Sequence, residues 1–174
     1  MFDLEDSMII IVALDDVVRD VESAWFQYSC SKQEIRDKIL IESISTATSE
    51  EWLDYKSLIP PRPLAEDKIN AWFDTCREIH ILAYKDEYNI KWLRDHFIPY
   101  DSIIEFPTMN HVDYFISASL HDCLDMSCRT EIKKIFHFKT HKRINNLDYM
   151  IPSNANPEKI TTVMNWSKII IEEK

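Results

Sequence analysis

The sequence predicts an α/β fold in which a small helical cap is inserted after the first strand of a parallel sheet of about five strands. Residues 8–14 form a continuous apolar run that ends in Asp15 and Asp16, as expected for a buried central strand whose carboxyl end opens into a site. From residue 78 onwards, strand-like and helix-like segments alternate. Such alternation is typical of a parallel sheet covered by helices.

The segment between the first two strands has a helical pattern. Two or three short helices are expected over residues 20–57, and an amphipathic helix over residues 64–75 follows a break that is rich in proline. We therefore predict a core domain that consists of residues 1–19 and 76–174, with residues 20–75 forming the cap.

The second half of the chain supplies the remaining elements. The expected strands cover residues 78–83, 102–106, 112–117 and 134–138, and the expected helices cover residues 88–97 and 121–126. A last helix is expected over residues 165–173, because Trp166, Ile169 and Ile170 would lie on one side of it.

The composition describes a folded, acidic protein. Hydrophobic residues make up 45% of the chain and charged residues 29%, which is typical of globular domains. The net charge of −10 argues against a general nucleic-acid-binding surface, because phosphates are met by Lys and Arg. An acidic surface suits a basic protein partner; alternatively it is a solvated exterior that maintains solubility. Without a basic leader or a long apolar run, the protein is expected to be cytoplasmic and free of membrane contact.

Glycine is absent, and the cysteines form no recognisable framework. The lack of glycine excludes a P-loop and a glycine-rich dinucleotide-binding loop. The chain has four cysteines but no CxxC pair, so reduced thiols are expected. His121, Cys123 and Cys128 lie close in sequence, yet no fourth ligand follows at zinc-finger spacing. We expect no zinc site.

The order of the motifs resembles that of the haloacid-dehalogenase-like (HAD-like) superfamily. Within it, the chain is similar to the 5'(3')-deoxyribonucleotidases, whose small helical cap follows the first strand. The segment VALDDVVRD resembles the hydrophobic strand and DxDxVxxD loop of that family, and IHILAY resembles its second motif. DYFISASLHDCL resembles the fourth motif, DYFIDDxxxNL, and the likeness runs nearly end to end.

This resemblance places an alanine at the reactive position. In such enzymes the first Asp of the loop attacks phosphorus and binds Mg²⁺, and the Asp two residues later acts as general acid and base. The matching residues here are Ala13 and Asp15. A methyl group can neither attack phosphorus nor bind a metal ion.

The other motifs depart from the family pattern as well. The hydroxyl of the second motif falls at Ala83, and the acidic pair of the fourth motif falls at Ser117 and Ala118. The Lys of the third motif is missing between Glu105 and His111. Mg²⁺ requires several oxygen ligands, and phosphoryl transfer requires stabilisation of charge. We therefore expect no cofactor, no bound metal and no phosphatase activity.

Five residues near these motifs have two interpretations each. Asp15 and Asp16 are either remnants of the catalytic loop or caps of the first helix that follows it. Trp25, Trp52 and Trp72 either stack on a nucleotide base beneath the cap or pack in the hydrophobic core.

Further candidates lie beside the pocket and on the cap. Tyr84 and Lys85 follow the second strand, where they could line the old pocket. Glu50, Glu51 and Asp54 lie on a predicted cap helix. These three acids are the candidates for partner binding, since the insertion is the element most free to diverge.

Together these observations predict a catalytically inactive HAD-like protein that acts by binding. The glycine-free sequence, rich in Ile and Lys, is similar to accessory proteins of tailed phages. That likeness implies an inhibitor or modulator of a host nucleic-acid-related or defence protein, acting in the host cytoplasm through a basic surface of its partner. Two alternatives stay open: a module that binds or sequesters a nucleotide, and an active deoxyribonucleotidase with another nucleophile such as Asp15 or Asp16.

Overall fold

The computed structural model describes residues 7–31, 50–75, 77–140 and 151–172. The strands are β1 (Ile9–Ala13), β2 (Glu78–Leu82), β3 (Ser102–Ile104), β4 (Tyr114–Ser117), β5 (Lys134–Phe138) and β6 (Ile160–Val163). The α-helices are α1 (Val21–Ser31), α2 (Glu50–Ser57), α3 (Ala65–Asp74), α4 (Glu87–Asp95) and α5 (Leu120–Ser127). None of these helices has the length and apolar character that a bilayer span requires.

The six strands form one parallel sheet in the order β3-β2-β1-β4-β5-β6. The predicted α/β class is confirmed, with six strands where about five were expected. Val12 of β1 pairs with Ile81 of β2 on one side and with Ile116 of β4 on the other. All three side chains are fully buried, as the apolar run of β1 predicted. The carboxyl ends of β1, β2 and β4 therefore open at one edge of the sheet.

The prediction of a last helix over residues 165–173 was wrong. The structure has β6 along the edge of the sheet and then only a short 3-10 turn, Trp166–Lys168. After that turn, Ile169 and Ile171 are buried while Ile170 is exposed. This alternation is that of an extended chain with a period of two, which a helical interpretation of the same residues misses.

Helix α3 packs against the sheet, whereas α1 and α2 share a separate hydrophobic cluster. Ala65, Ile69 and Trp72 of α3 belong to the same buried cluster as the apolar residues of β1 and β2. The second cluster consists of Val21, Ala24, Trp25, Tyr28, Trp52 and Ile59. The predicted cap boundary at residue 75 stays a prediction, although this packing groups α3 with the sheet.

Two buried tryptophans connect distant segments through their indole nitrogens. Trp92 of α4 donates a hydrogen bond to the carbonyl of Ile59, over 2.8 Å. Trp166 donates to the carbonyl of Val17, in the loop after β1, also over 2.8 Å. Both rings are 1% exposed. These bonds fix the loop after β1 and the segment after α2 against the core.

Candidate functional site

A cleft of about 480 Å³ opens at the carboxyl edge of β1, β2 and β4. All six positions matched to the catalytic motifs line it: Ala13, Asp15, Asp16, Ala83, Ser117 and Ala118. Tyr84, one of the two candidates that follow β2, also lines it. These residues are far apart in sequence. They meet because parallel strands present their carboxyl ends at the same edge.

Ala13 ends β1 at the base of the cleft. Its backbone pairs with Leu82 of β2, and the residue is 8% exposed. The next residue, Leu14, continues the contact by donating its N–H to the carbonyl of Leu82, over 3.1 Å. Strand β1 therefore ends with the side chain of Ala13 at the cleft, and this methyl group has no reactive atom.

Asp15 forms ion pairs with two cations. Its Oδ1 atom accepts a hydrogen bond from Nε of Arg19 over 2.9 Å and lies 2.8 Å from Nη2 of the same guanidinium. Its Oδ2 atom accepts from Nζ of Lys56, on α2, at 3.0 Å. Burial raises the pKa of Asp15, but the charges and hydrogen bonds of Arg19 and Lys56 outweigh it, so that the pKa is lowered. A general acid needs a pKa near the working pH, and this environment shifts Asp15 away from it.

Arg19 extends this network into the core. The side chain is 1% exposed, and Nη2 donates to Oδ1 of Asn89 over 2.7 Å. The guanidinium carbon lies 5.0 Å from the ring centroid of Trp92. Asn89 in turn donates to the carbonyl of Tyr84 over 2.8 Å. A continuous set of polar contacts therefore runs from Asp15 to the backbone after β2.

Asp16 has a structural role. It adopts a left-handed conformation with φ of 66°, and its Oδ1 atom accepts from the N–H of Glu22, over 2.8 Å, in the first turn of α1. Asp20 assists by accepting from the N–H of Ser23 over 3.0 Å. Such caps satisfy N–H groups that have no partner inside the helix. The capping interpretation therefore describes Asp16, whereas Asp15 forms ion pairs instead.

Ser117 and Ser119 support the start of α5, while Ala118 between them has no carboxylate or hydroxyl to offer. The hydroxyl oxygen of Ser117, which is 2% exposed, accepts from the N–H of Ser119 over 3.1 Å. Ser119 caps α5 by accepting from the N–H of Asp122 over 3.2 Å. In the described ranges, no group of three or more His, Cys, Asp or Glu side chains is placed to hold a metal ion.

The tryptophan candidates are buried away from the cleft. Trp72 packs against Trp166, with ring centroids 5.8 Å apart, and Trp52 packs against Trp25 at 4.8 Å. Neither Trp52 nor Trp72 is among the residues that line the cleft. The core-packing interpretation describes all three.

Lys85 and the cap acids lie outside the cleft lining. The backbone N–H of Lys85 donates to Oε1 of Glu105 over 3.4 Å, but Lys85 itself is not a lining residue. Glu50, Glu51 and Asp54 are exposed on α2.

The cysteines that the structure describes are free thiols. Cys123 is buried and Cys128 is half-buried. Burial raises the pKa of the Cys123 thiol to about 12, so the sulfur stays protonated and donates to the carbonyl of Ser117 over 3.8 Å. The side chains of Cys30 and Cys76 lie outside the described residues.

Comparison with known proteins identifies the fold. No family model and no curated protein matches the chain. Among solved structures, the chain is similar to the L-2-haloacid dehalogenase from Xanthobacter autotrophicus with chloropropionic acid covalently bound. The TM-score is 0.55 and the identity 9%, over 79% of each chain. It is also similar to the L-2-haloacid dehalogenase PA0810, with a TM-score of 0.53 and 9% identity, over 91% of this chain and 94% of that one. The chain has the HAD-like fold.

The fold also places at the cleft, or in contact with Asp15, residues that the sequence analysis did not single out. Arg19 lies only four positions after Asp15, so its nearness in sequence was a signal for the ion pair, although both residues lie in the loop before α1 and not in a helix. Lys56 carries no such signal, because its contact with Asp15 spans 41 positions. Glu105 and Phe106 likewise carry no signal in the sequence, because their place in the cleft lining depends on which strands are neighbours in the sheet.

Proposed function

We propose that this protein is a catalytically inactive, HAD-like relative of the deoxyribonucleotidases that acts by binding a protein with a basic surface. One observation carries the proposal: the cleft at the end of β1 presents the methyl group of Ala13, and the remaining acid of its loop, Asp15, is engaged by Arg19 and Lys56.

Three separate requirements of phosphoryl transfer are unmet in this cleft. Ala13 cannot form a covalent intermediate. Asp15, with its lowered pKa, is a poor proton donor near neutral pH. Ser117 and Ala118 offer no carboxylate to Mg²⁺. Because each deficit affects a different part of the reaction, no single substitution would restore it.

The charge of the protein favours a basic partner. A net charge of −10 creates a long-range field that attracts cationic surfaces and accelerates their association. A phage-type inhibitor or modulator of a host nucleic-acid-related or defence protein would use such a field to compete with nucleic acid for a basic groove. The likeness to tailed-phage accessory proteins supports this choice, and the host cytoplasm is where such a protein would act.

The wild-type protein should release no phosphate from deoxyribonucleoside monophosphates and no halide from chloropropionic acid, with millimolar Mg²⁺ present. The Ala13→Asp variant should be equally inactive, since the other deficits remain. Mg²⁺ should leave the melting temperature unchanged relative to Na⁺ at matched ionic strength. If the wild type turned over a substrate and Asp15→Asn abolished that turnover without loss of fold, the proposal would be contradicted and the protein would be an enzyme.

Calorimetry with the same nucleotides tests the sequestering alternative. We expect no binding heat, because the cleft-lining residues that the structure describes include no Lys or Arg to meet a phosphate. Tight nucleotide binding without turnover would favour the sequestering module over the proposal.

Reversing the three cap acids, as Glu50→Lys, Glu51→Lys and Asp54→Lys together, should slow association with a partner captured from host lysate. We expect roughly a tenfold drop in the association rate at low salt and a smaller drop at high salt, where charges are screened over about 8–10 Å. Surface-based kinetics at several salt concentrations measure this, after melting curves confirm that α2 tolerates the change.

The matched control reverses three exposed acids elsewhere, Asp67, Asp74 and Glu158, and changes the net charge by the same amount. An equal effect of both triple variants would show that total charge matters and that α2 has no special role. Kinetics insensitive to both variants and to salt would contradict the electrostatic mechanism.

A further inference from the structure

A second group of polar side chains lies on β2 and β3, outside the lining of the cleft. Strand β2 carries Glu78 at its first position and His80 two positions later, and Ser102 begins β3. His80 and Ser102 are Cα partners in the parallel pairing of the two strands. Because side chains alternate between the two faces of a sheet, all three lie on the same face. The register of the sheet therefore brings together a serine, a histidine and a carboxylate.

These three side chains form a continuous hydrogen-bonded chain. Nδ1 of His80 lies 2.6 Å from Oγ of Ser102, and Nε2 of His80 lies 2.7 Å from Oε1 of Glu78. Such distances are those expected between a nucleophile, a base and the group that orients the base. The imidazole of His80 thus has a partner at each ring nitrogen.

The carboxylate of Glu78 determines where the ring proton of His80 lies. An ionised carboxylate only accepts hydrogen bonds, so Nε2 of the neutral imidazole carries the proton and donates it. Nδ1 then has a lone pair and acts as the acceptor, which means that the hydroxyl of Ser102 donates to it. A general base requires this direction of the hydrogen bond to remove the proton of a nucleophile.

His80 is shielded from water, whereas Ser102 is partly open to it. His80 is 5% exposed, while Ser102 is half-buried and lies on β3, the outermost strand on this side of the sheet. Leu82 and Ile104 pair on the same face, two positions further along β2 and β3, and are also half-buried. The hydroxyl is therefore open to a small reagent, and a short apolar chain attached to it would contact Leu82 and Ile104.

We propose that Ser102 accepts the acyl group of esters with a short apolar acyl chain, with His80 as general base and Glu78 as the residue that positions His80. Oγ of Ser102 bonds to the carbonyl carbon while its proton moves to Nδ1 of His80. The bond from that carbon to the leaving oxygen then breaks, and the leaving oxygen takes the proton. Water hydrolyses the serine ester by the same proton movements, with the proton finally returned to Oγ. The cleft plays no part in these steps.

Treatment of the full chain with para-nitrophenyl acetate tests the proposal. We expect peptide mapping by mass spectrometry to find Ser102 acetylated about a hundredfold faster than Ser23, because general-base catalysis typically contributes at least that factor. Ser102→Ala should remove the fast phase of nitrophenolate release. The matched control, Ser23→Ala, should leave it unchanged; the Ser23 hydroxyl is half-buried as well, but it donates to the carboxylate of Asp20, over 2.9 Å, and not to an imidazole. Acetylation of Ser102 no faster than that of Ser23 would overturn the proposal.

Two further variants test the roles of His80 and Glu78. His80→Gln should slow acetylation of Ser102 about a hundredfold. Glu78→Gln should slow it about tenfold or more, because an amide can donate to Nε2 and so hold the wrong tautomer. Melting curves check that both variants fold.

NMR of the ring nitrogens gives a readout that does not depend on rate. The proton of His80 should be on Nε2 in the wild type and should shift towards Nδ1 in Glu78→Gln. A wild-type proton on Nδ1, or acetylation that His80→Gln does not slow, would overturn the assigned roles. If His80→Gln does not fold, the tautomer and the acetylation of the wild-type chain decide the question. None of these measurements involves partner binding, so a failure here is distinct from a failure of the proposed function.

Discussion

Replacing Trp166 by Ala should lower the free energy of unfolding by about 3–5 kcal/mol, the range for removing a buried aromatic side chain. The indole is 1% exposed and belongs to the main core cluster, where it packs against Trp72. Its Nε1 also bonds the carbonyl of Val17, so the loop after β1 loses its anchor. Equilibrium unfolding in denaturant measures the loss.

Trp166→Phe is the matched control. It keeps an aromatic ring but removes the hydrogen bond, which leaves the buried carbonyl of Val17 without that donor at a cost of about 1–3 kcal/mol. If Trp166→Ala and Trp166→Phe cost the same, packing is not the main contribution. If neither changes the unfolding midpoint, the anchoring of the loop is contradicted.

Replacing Arg19 by Met should cost about 2–4 kcal/mol, because the partners of a buried cation lose their donor. Asn89 is 5% exposed and would lose the hydrogen bond to its carbonyl oxygen. Asp15 would keep Lys56 and is 43% exposed, so its own penalty is reduced. For a chain of this size, the melting temperature should fall by roughly 5–15 °C.

A double-mutant cycle with Asp15→Asn separates the ion pair from the other contacts of Arg19. If the pair contributes, the double variant should be less destabilised than the sum of the single variants. Additive effects would place the contribution of Arg19 in its contacts with Asn89 and Trp92. The Asp15→Asn variant alone should leave partner binding nearly unchanged.

The acid range provides a second check on Asp15. Its folded-state pKa lies below the ordinary value, so the ion pair contributes stability above the unfolded pKa. That contribution is lost as the pH falls through the lowered folded pKa. Below the ordinary pKa of aspartate, the wild type should therefore lose its advantage over Asp15→Asn. An advantage that persists in strong acid would contradict the ion pair.

The sequence predicted those elements whose burial is set by the sheet. Strand β5 has the predicted bounds, 134–138, because its apolar residues are buried inside the sheet. Strand β6 was missed, since Thr161 and Thr162 at the edge give little apolar signal. The sequence could predict that Ala13 and Ser117 lie at one site, because each ends a strand and the carboxyl ends of parallel strands meet at one edge of the sheet. The contact of Lys56 with Asp15 could not, because it depends on how α2 packs in three dimensions.

The ion pair between Lys56 and Asp15 also affects the entropy of association. It connects the last turn of α2 to the loop after β1 and so restricts the motion of the acids on α2 relative to the sheet. A surface whose geometry exists before encounter loses little conformational freedom when a partner arrives, and such preorganisation raises affinity without any added contact. Asp15 and Lys56 would then hold α2 in a fixed orientation for partner recognition.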